Sequence, residues 1–190
     1  MRPAPMLVRR LFLFACAAAV ATVFGAFFLP DTIEVEETVE IAAPPGVVWG
    51  QIAELPKWEA WGPWFRGDTL VETKYTTPAG AIPPAGQMMT WSSRSQGTGR
   101  IKVTGAIPPQ ALMVACDFGE TGDAGCSVTL TGTANGGTEV RCRLTSGACR
   151  NLSRRYFGLL VRSSVRQLVA EGLGGLKGHC EALPVVDSGH

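Results

Sequence analysis

The groups able to do chemistry in this 190-residue chain are few. Its two histidines, His179 and His190, both lie near the C-terminus. A histidine in the last turns of a helix is already accounted for by the helix dipole. No His-Glu-x-x-His, Cys-x-x-Cys or Gly-x-Ser-x-Gly pattern occurs, so zinc hydrolysis, thioredoxin-type exchange and serine hydrolysis lack support. Gly97-Thr98-Gly99 lacks the rest of a dinucleotide fingerprint and reads as turn material. Asp68, Asp117 and Glu139 fall at outward or loop positions, and no carboxylate is placed where a general acid or base must sit. No catalytic residue, metal site or cofactor is expected.

Cysteines are more plentiful. Cys16 lies in an apolar N-terminal run, leaving Cys116, Cys126, Cys142, Cys149 and Cys180. The alternation places Cys116, Cys126 and Cys142 on an inward sheet face, where a thiol acts as a small hydrophobe. With one strand between them, Cys116 and Cys142 would stand about 9–10 Å apart, too far for a disulfide. Cys149 and Cys180 bracket the last helix. Free, buried thiols are the expected state, although an exported domain could oxidise some.

The other concentration is aromatic. Trp58-Glu-Ala-Trp61-Gly-Pro-Trp64 holds three of the five tryptophans in seven residues. Each ring can bury about 200 Å² and leaves an indole N–H in need of a partner. The cluster is either the wall of an apolar pocket or a plug sealing the core. With Met89, Trp91, Leu112 and Val114 it forms the apolar set expected to face a ligand.

Those residues need a surface to hold them. Ile33, Val35, Val39 and Ile41, with Glu37 in the same phase, alternate with Thr32, Glu34, Glu36, Thr38 and Glu40 as in a half-buried strand. Ala42-Ala-Pro-Pro-Gly46 breaks it, and Val47–Leu55 reads as a short helix stopped by Pro56. Short alternating runs follow over 70–76, 87–93, 99–105, 111–118, 126–131 and 139–144, with Asn135-Gly136-Gly137 as a tight turn. That is an antiparallel meander with one solvated face.

The other face is free to grip the last long helix. Phe157, Val161, Val165, Leu168, Val169, Gly172 and Leu176 share one side of it, opposite Arg155, Arg162, Arg166, Gln167 and Glu171. The stripe is either plain core or one wall of a cavity, with Phe157, Val161, Val165 and Leu168 as its lining.

Composition sets limits. Apolar residues make up 46 % and charged ones 17 %, which excludes wholesale disorder. A formal net charge of +1 gives no pull toward nucleic acid. Residues 1–10 form a basic flank with Arg2, Arg9 and Arg10, and residues 11–29 carry no charge. As a helix that run would rise about 28 Å, close to the hydrocarbon thickness of a bilayer. A cleaved signal or twin-arginine export signal is a rival reading, but cleavage near Ala21 would leave Phe24–Leu29 at the new terminus. The expectation is a single-pass anchor over 11–30 with the N-terminus cytoplasmic. A domain over 31–183 would then be extracytoplasmic, periplasmic in a bacterium, with a disordered tail over 184–190. Oligomeric state is not legible.

Ile41-Ala-Ala-Pro-Pro-Gly-Val-Val-Trp49, Trp58-Glu-Ala-Trp-Gly-Pro-Trp64, Gly86-Gln-Met-Met-Thr-Trp91, Gly97-Thr-Gly-Arg-Ile101 and Glu171-Gly-Leu-Gly-Gly-Leu-Lys177 occur in that order. Together they resemble the START-like, polyketide cyclase/SRPBCC superfamily over about residues 33–183. The resemblance implies an α+β helix-grip fold: a curved seven-stranded antiparallel sheet around a long C-terminal helix, here preceded by one transmembrane helix. It also implies an enclosed space for an apolar small molecule or lipid. A cyclase- or dehydratase-type enzyme is one alternative, and a non-catalytic interaction module at a membrane surface another.

Overall fold

The computed structural model describes residues 4–27, 32–63, 72–80, 84–93, 97–119, 122–146 and 152–184, with backbone alone at 4–8, 18–19, 22–23, 26–27 and 152–160. The first helix, α1 (Ala4–Phe27), covers much of the expected anchor. Among the described residues no helix is long and apolar enough to cross a membrane, so a transmembrane anchor finds no support in the fold. Of the expected tail, residues 185–190 lie outside the described residues.

Seven strands form one antiparallel sheet in the order β1-β7-β6-β5-β4-β3-β2. They are β1 (Glu34–Ile41), β2 (Glu72–Thr76), β3 (Met88–Ser93), β4 (Gly97–Ile107), β5 (Ala111–Asp117), β6 (Asp123–Gly132) and β7 (Thr138–Ser146). Each expected run is a strand, several longer than the alternation suggested. Gly97-Thr98-Gly99, read as a turn, opens β4 instead. The register slips between Val103 and Gly105, and such a bulge bends a strand and increases its twist.

The long connection from β1 to β2 carries two helical pieces. Pro44 and Pro45 suit a first helical turn, where a missing N–H is harmless, and α2 (Pro45–Ile52) starts there. A 3₁₀ turn (Leu55–Ala60) follows. Val48, Ile52 and Leu55 are fully buried. Gln87 ties this segment to the sheet by accepting from the Leu55 N–H at 3.2 Å and donating to the Ala53 carbonyl at 3.1 Å.

The last helix, α3 (Leu152–Ala182), packs on the sheet mainly against β1. Among its described side chains, over 161–182, the buried residues are Val169, Gly172, Leu173, Leu176 and Cys180. Leu173 was not on the expected stripe. Leu168 was, yet it is 42 % exposed. The stripe is narrower than the sequence suggested, and Leu168 flanks it.

Candidate functional site

Two surfaces of α3 offer a site. One meets the 3₁₀ turn, and the other meets the sheet.

On the first, small residues let the segments approach. A Cβ added to Gly172 would stand 3.6 Å from Pro63 Cδ. Beside this contact lies a groove of about 490 Å³, between Ala60 and Pro63 on one wall and Glu171, Gly174, Gly175, Gly178 and His179 on the other. Its polar groups are already engaged. Glu171 accepts from Gln167 Nε2 at 2.9 Å, and His179 Nε2 lies 3.2 Å from Gln51 Oε1.

On the second, the expected apolar set is largely together. Trp61, Met89, Leu112 and Val114 are buried in one cluster, with Trp91 and Val165 packed against its edge and Val161 half-buried. Trp64 and the side chain of Phe157 lie outside the described residues. Trp91 rests on Gly99, where an ideal Cβ would lie 2.0 Å from indole Cζ2. Its edge meets Phe118 at 5.9 Å between ring centres. The glycine thus makes room for the ring, a role its sequence context did not reveal.

The inner face is not wholly apolar, contrary to expectation. Glu37 lies in phase with Val35 and Val39 and pairs across strands with Cys142, so it shares the α3-facing side. Arg166, expected on the outward face of α3, reaches back to Glu37 with Nε 2.9 Å from Oε1. The partner on α3 had not been expected, whereas parity among the valines had already marked the side of Glu37. Beside it, Cys126 Sγ stands 3.4 Å from Cys142 Sγ. Burial, then the nearby Cys142, pushes Cys116 up to about 12.

Trp61 is the most informative group. Its ring packs 5.2 Å from that of Trp58, and it is only 6 % exposed. Trp58 Nε1 donates to the Ile52 carbonyl at 2.9 Å. Among the described residues Trp61 Nε1 has no hydrogen-bond partner. Buried polar hydrogens are rarely left so. By contrast, Gln87 and Thr138, the buried polar residues among those described, are satisfied, Thr138 Oγ1 donating to the Ala43 carbonyl at 2.6 Å.

A family model for polyketide cyclases, dehydrases and lipid-transport proteins matches residues 32–181. The chain belongs to this family. No curated protein matches it. Among solved structures, the di-domain ARO/CYC protein StfQ of the steffimycin biosynthetic pathway is similar at TM-score 0.59 and 14 % identity, over 94 % of this chain and 60 % of that one. Protein SA2116 from Staphylococcus aureus is similar at TM-score 0.59 and 12 % identity, over 79 % and 94 %. The Aha1 dimer from Colwellia psychrerythraea is similar at TM-score 0.54 and 18 % identity, over 79 % and 97 %. At these identities the likeness concerns the fold.

Within the polyketide cyclase/dehydrase family fold, the 3₁₀ turn is held from two sides. Tyr75 Oη and Thr73 Oγ1 of β2 donate to Glu59 Oε1 at 2.6 and 3.1 Å. Burial raises the Tyr75 phenol, and the Glu59 hydrogen bond adds to this. Tyr75 is therefore a clasp, protonated at neutral pH. The turn bearing Trp58 and Trp61 is thus fixed to the edge strand as well as to Gln87.

Proposed function

We propose that this domain binds a small apolar molecule carrying a hydrogen-bond acceptor, between the inner sheet face and α3. The observation that supports it most is the partnerless Trp61 Nε1 within an apolar cluster. A pure hydrocarbon would leave that N–H unpaired, whereas a carbonyl or hydroxyl oxygen would satisfy it. Lipids and polyketide-like ketones both meet the requirement. Native mass spectrometry of protein purified without added lipid tests the claim, the expected result being a bound neutral species. A carbonyl-bearing fluorescent naphthalene should also bind, and Trp61→Phe should weaken it about fivefold, the value of one neutral hydrogen bond. Equal affinity in both proteins would refute the role of Trp61.

A cyclase- or dehydratase-like reading has one observation in its favour, the inward Glu37 held by Arg166. It requires Glu37→Gln to abolish turnover of a ketone substrate while binding persists.

We also place the domain at a membrane, through α1. Residues 11–29 are uncharged and follow Arg9 and Arg10. Leu11, Phe12, Leu13 and Phe14 are each more than half exposed. Uncovered apolar side chains in such a run suit lipid better than water. In this reading the N-terminus is cytoplasmic and the domain extracytoplasmic. Extraction by alkaline carbonate, or loss of residues 1–21 in the mature protein, would refute it.

A further inference from the structure

We propose that Cys126 and Cys142 form a reversible disulfide on the inner sheet face when the protein meets a hydroperoxide. The placement carries the claim. Cys126 pairs with Leu144 and Cys142 with Val128, so the two thiols are diagonal neighbours on adjacent strands. Their side chains lean together until the sulfurs stand 3.4 Å apart. A bond requires about 2.05 Å, so a movement of little more than an ångström closes it. Diagonal neighbours, at about 7–8 Å, lie just beyond the usual backbone spacing of disulfides, so closing the bond draws the two strands together and strains it. Such a bond is easily reduced, which is what reversibility demands.

The surroundings suit a first deprotonation. Cys142 is lowered by the hydrogen bond from Cys126, although burial opposes this. Cys126 is raised well above the ordinary thiol range by the same bond and then by burial. The pair therefore gives up its first proton more readily than its second. Glu37, which the register sets opposite Cys142, has its charge balanced by Arg166. Of the two, Cys126 is half-buried and Cys142 is buried.

The chemistry balances. The Cys142 thiolate attacks one oxygen of hydrogen peroxide; the O–O bond breaks and hydroxide leaves, taking up a proton to become water. This gives a sulfenic acid. Cys126 sulfur then attacks Cys142 sulfur, the S–O bond breaks, and the hydroxyl leaves with the Cys126 proton as a second water. Two thiols lose two electrons to one peroxide. A dithiol reductant reverses the step by exchange.

The test uses the full chain. The protein is treated with hydrogen peroxide, its remaining thiols are blocked with iodoacetamide, and its peptides are mapped by mass. The expected result is a linked pair of peptides, lighter by two hydrogens, that contains Cys126 and Cys142. Cys116 and Cys180 remain alkylated, and dithiothreitol restores both lost sites. Cys126→Ser and Cys142→Ser should each abolish the link, whereas Cys116→Ser should keep it. Should a serine variant misfold, the wild-type map with and without dithiothreitol still decides. A bridge through Cys116, sulfinic acid without a bridge, or two unchanged thiols would each overturn the proposal.

Discussion

The two halves of α3 are built differently. In the C-terminal half, Val169, Leu173, Leu176 and Cys180 are all buried. Lys177 Nζ donates to the Glu40 carbonyl at 2.6 Å, and Glu181 Oε1 accepts from the Ala42 N–H at 2.9 Å. Nearer the start, Val161 and Val165 are only half-buried and Leu168 is exposed. Among the described residues, that stretch carries an ion pair to the sheet, Glu37 to Arg166, with the arginine side chain 58 % exposed. The helix is thus clamped over its C-terminal part, whereas the described side chains over 161–168 meet the sheet more loosely. Cys126, Cys142 and Glu37 lie on the inner face toward that looser stretch.

Truncating one leucine in each half sharpens the contrast most. Leu176 is 1 % exposed, and Leu176→Ala should cost about 3 kcal/mol, transfer and cavity terms together. Leu168→Ala should cost less than about 0.5 kcal/mol. Urea denaturation reads both. Equal losses would mean that α3 is clamped along its length.

Gly99→Ala probes the sheet beyond the clamp. Its Cβ would collide with Trp91, a ring that packs against Phe118 and has little room to retreat. The expected loss is about 1–3 kcal/mol, the usual cost of overpacking, together with a changed near-ultraviolet dichroism signal. An unchanged protein would show that Trp91 is free to swing away, and that the region yields.

Arg166→Ala should cost no more than about 1 kcal/mol, because exposed ion pairs contribute little. Salt should weaken the wild type toward the variant. A larger cost that salt does not touch would show that the loose half is held by more than this contact.

The strand pattern, the short helix and the gripping helix were all legible because a period of two or 3.6 survives in the apolar positions. What escaped was position within the pattern. Glu37 obeys the inward parity and was read in register with the valines, but its partner Arg166 was assigned to the opposite face of α3, so the ion pair was not foreseen. Leu168 and Leu173 are interchangeable to a broad helical stripe, and only the width of the contact with β1 separates them. The Cys126–Cys142 proximity depends on the β6–β7 register, which alternation alone leaves open by steps of two. The partnerless Trp61 indole was invisible for a similar reason, since its neighbour Trp58 has the same chemistry and found a carbonyl.

Acid should act on the clamped end. Hydrogen bonding from the Ala42 N–H, aided by Lys177, holds the Glu181 carboxyl below its usual value of 4.5. The native state therefore binds this proton less readily than the unfolded chain does, and stability rises with pH across the interval between the two values. The contribution is complete above about pH 4.5 and lost as pH falls through the lower native value. Asp117 behaves alike below 3.8, held by the Gly119 N–H and then by Arg100, but it sits at the end of β5, away from α3. Glu181→Gln should thus flatten the acid limb of the stability curve while Asp117 keeps part of it. If the variant instead loses stability equally at all pH values, the Ala42 contact acts through shape and not through charge. The clamp would then rest on the buried leucines alone.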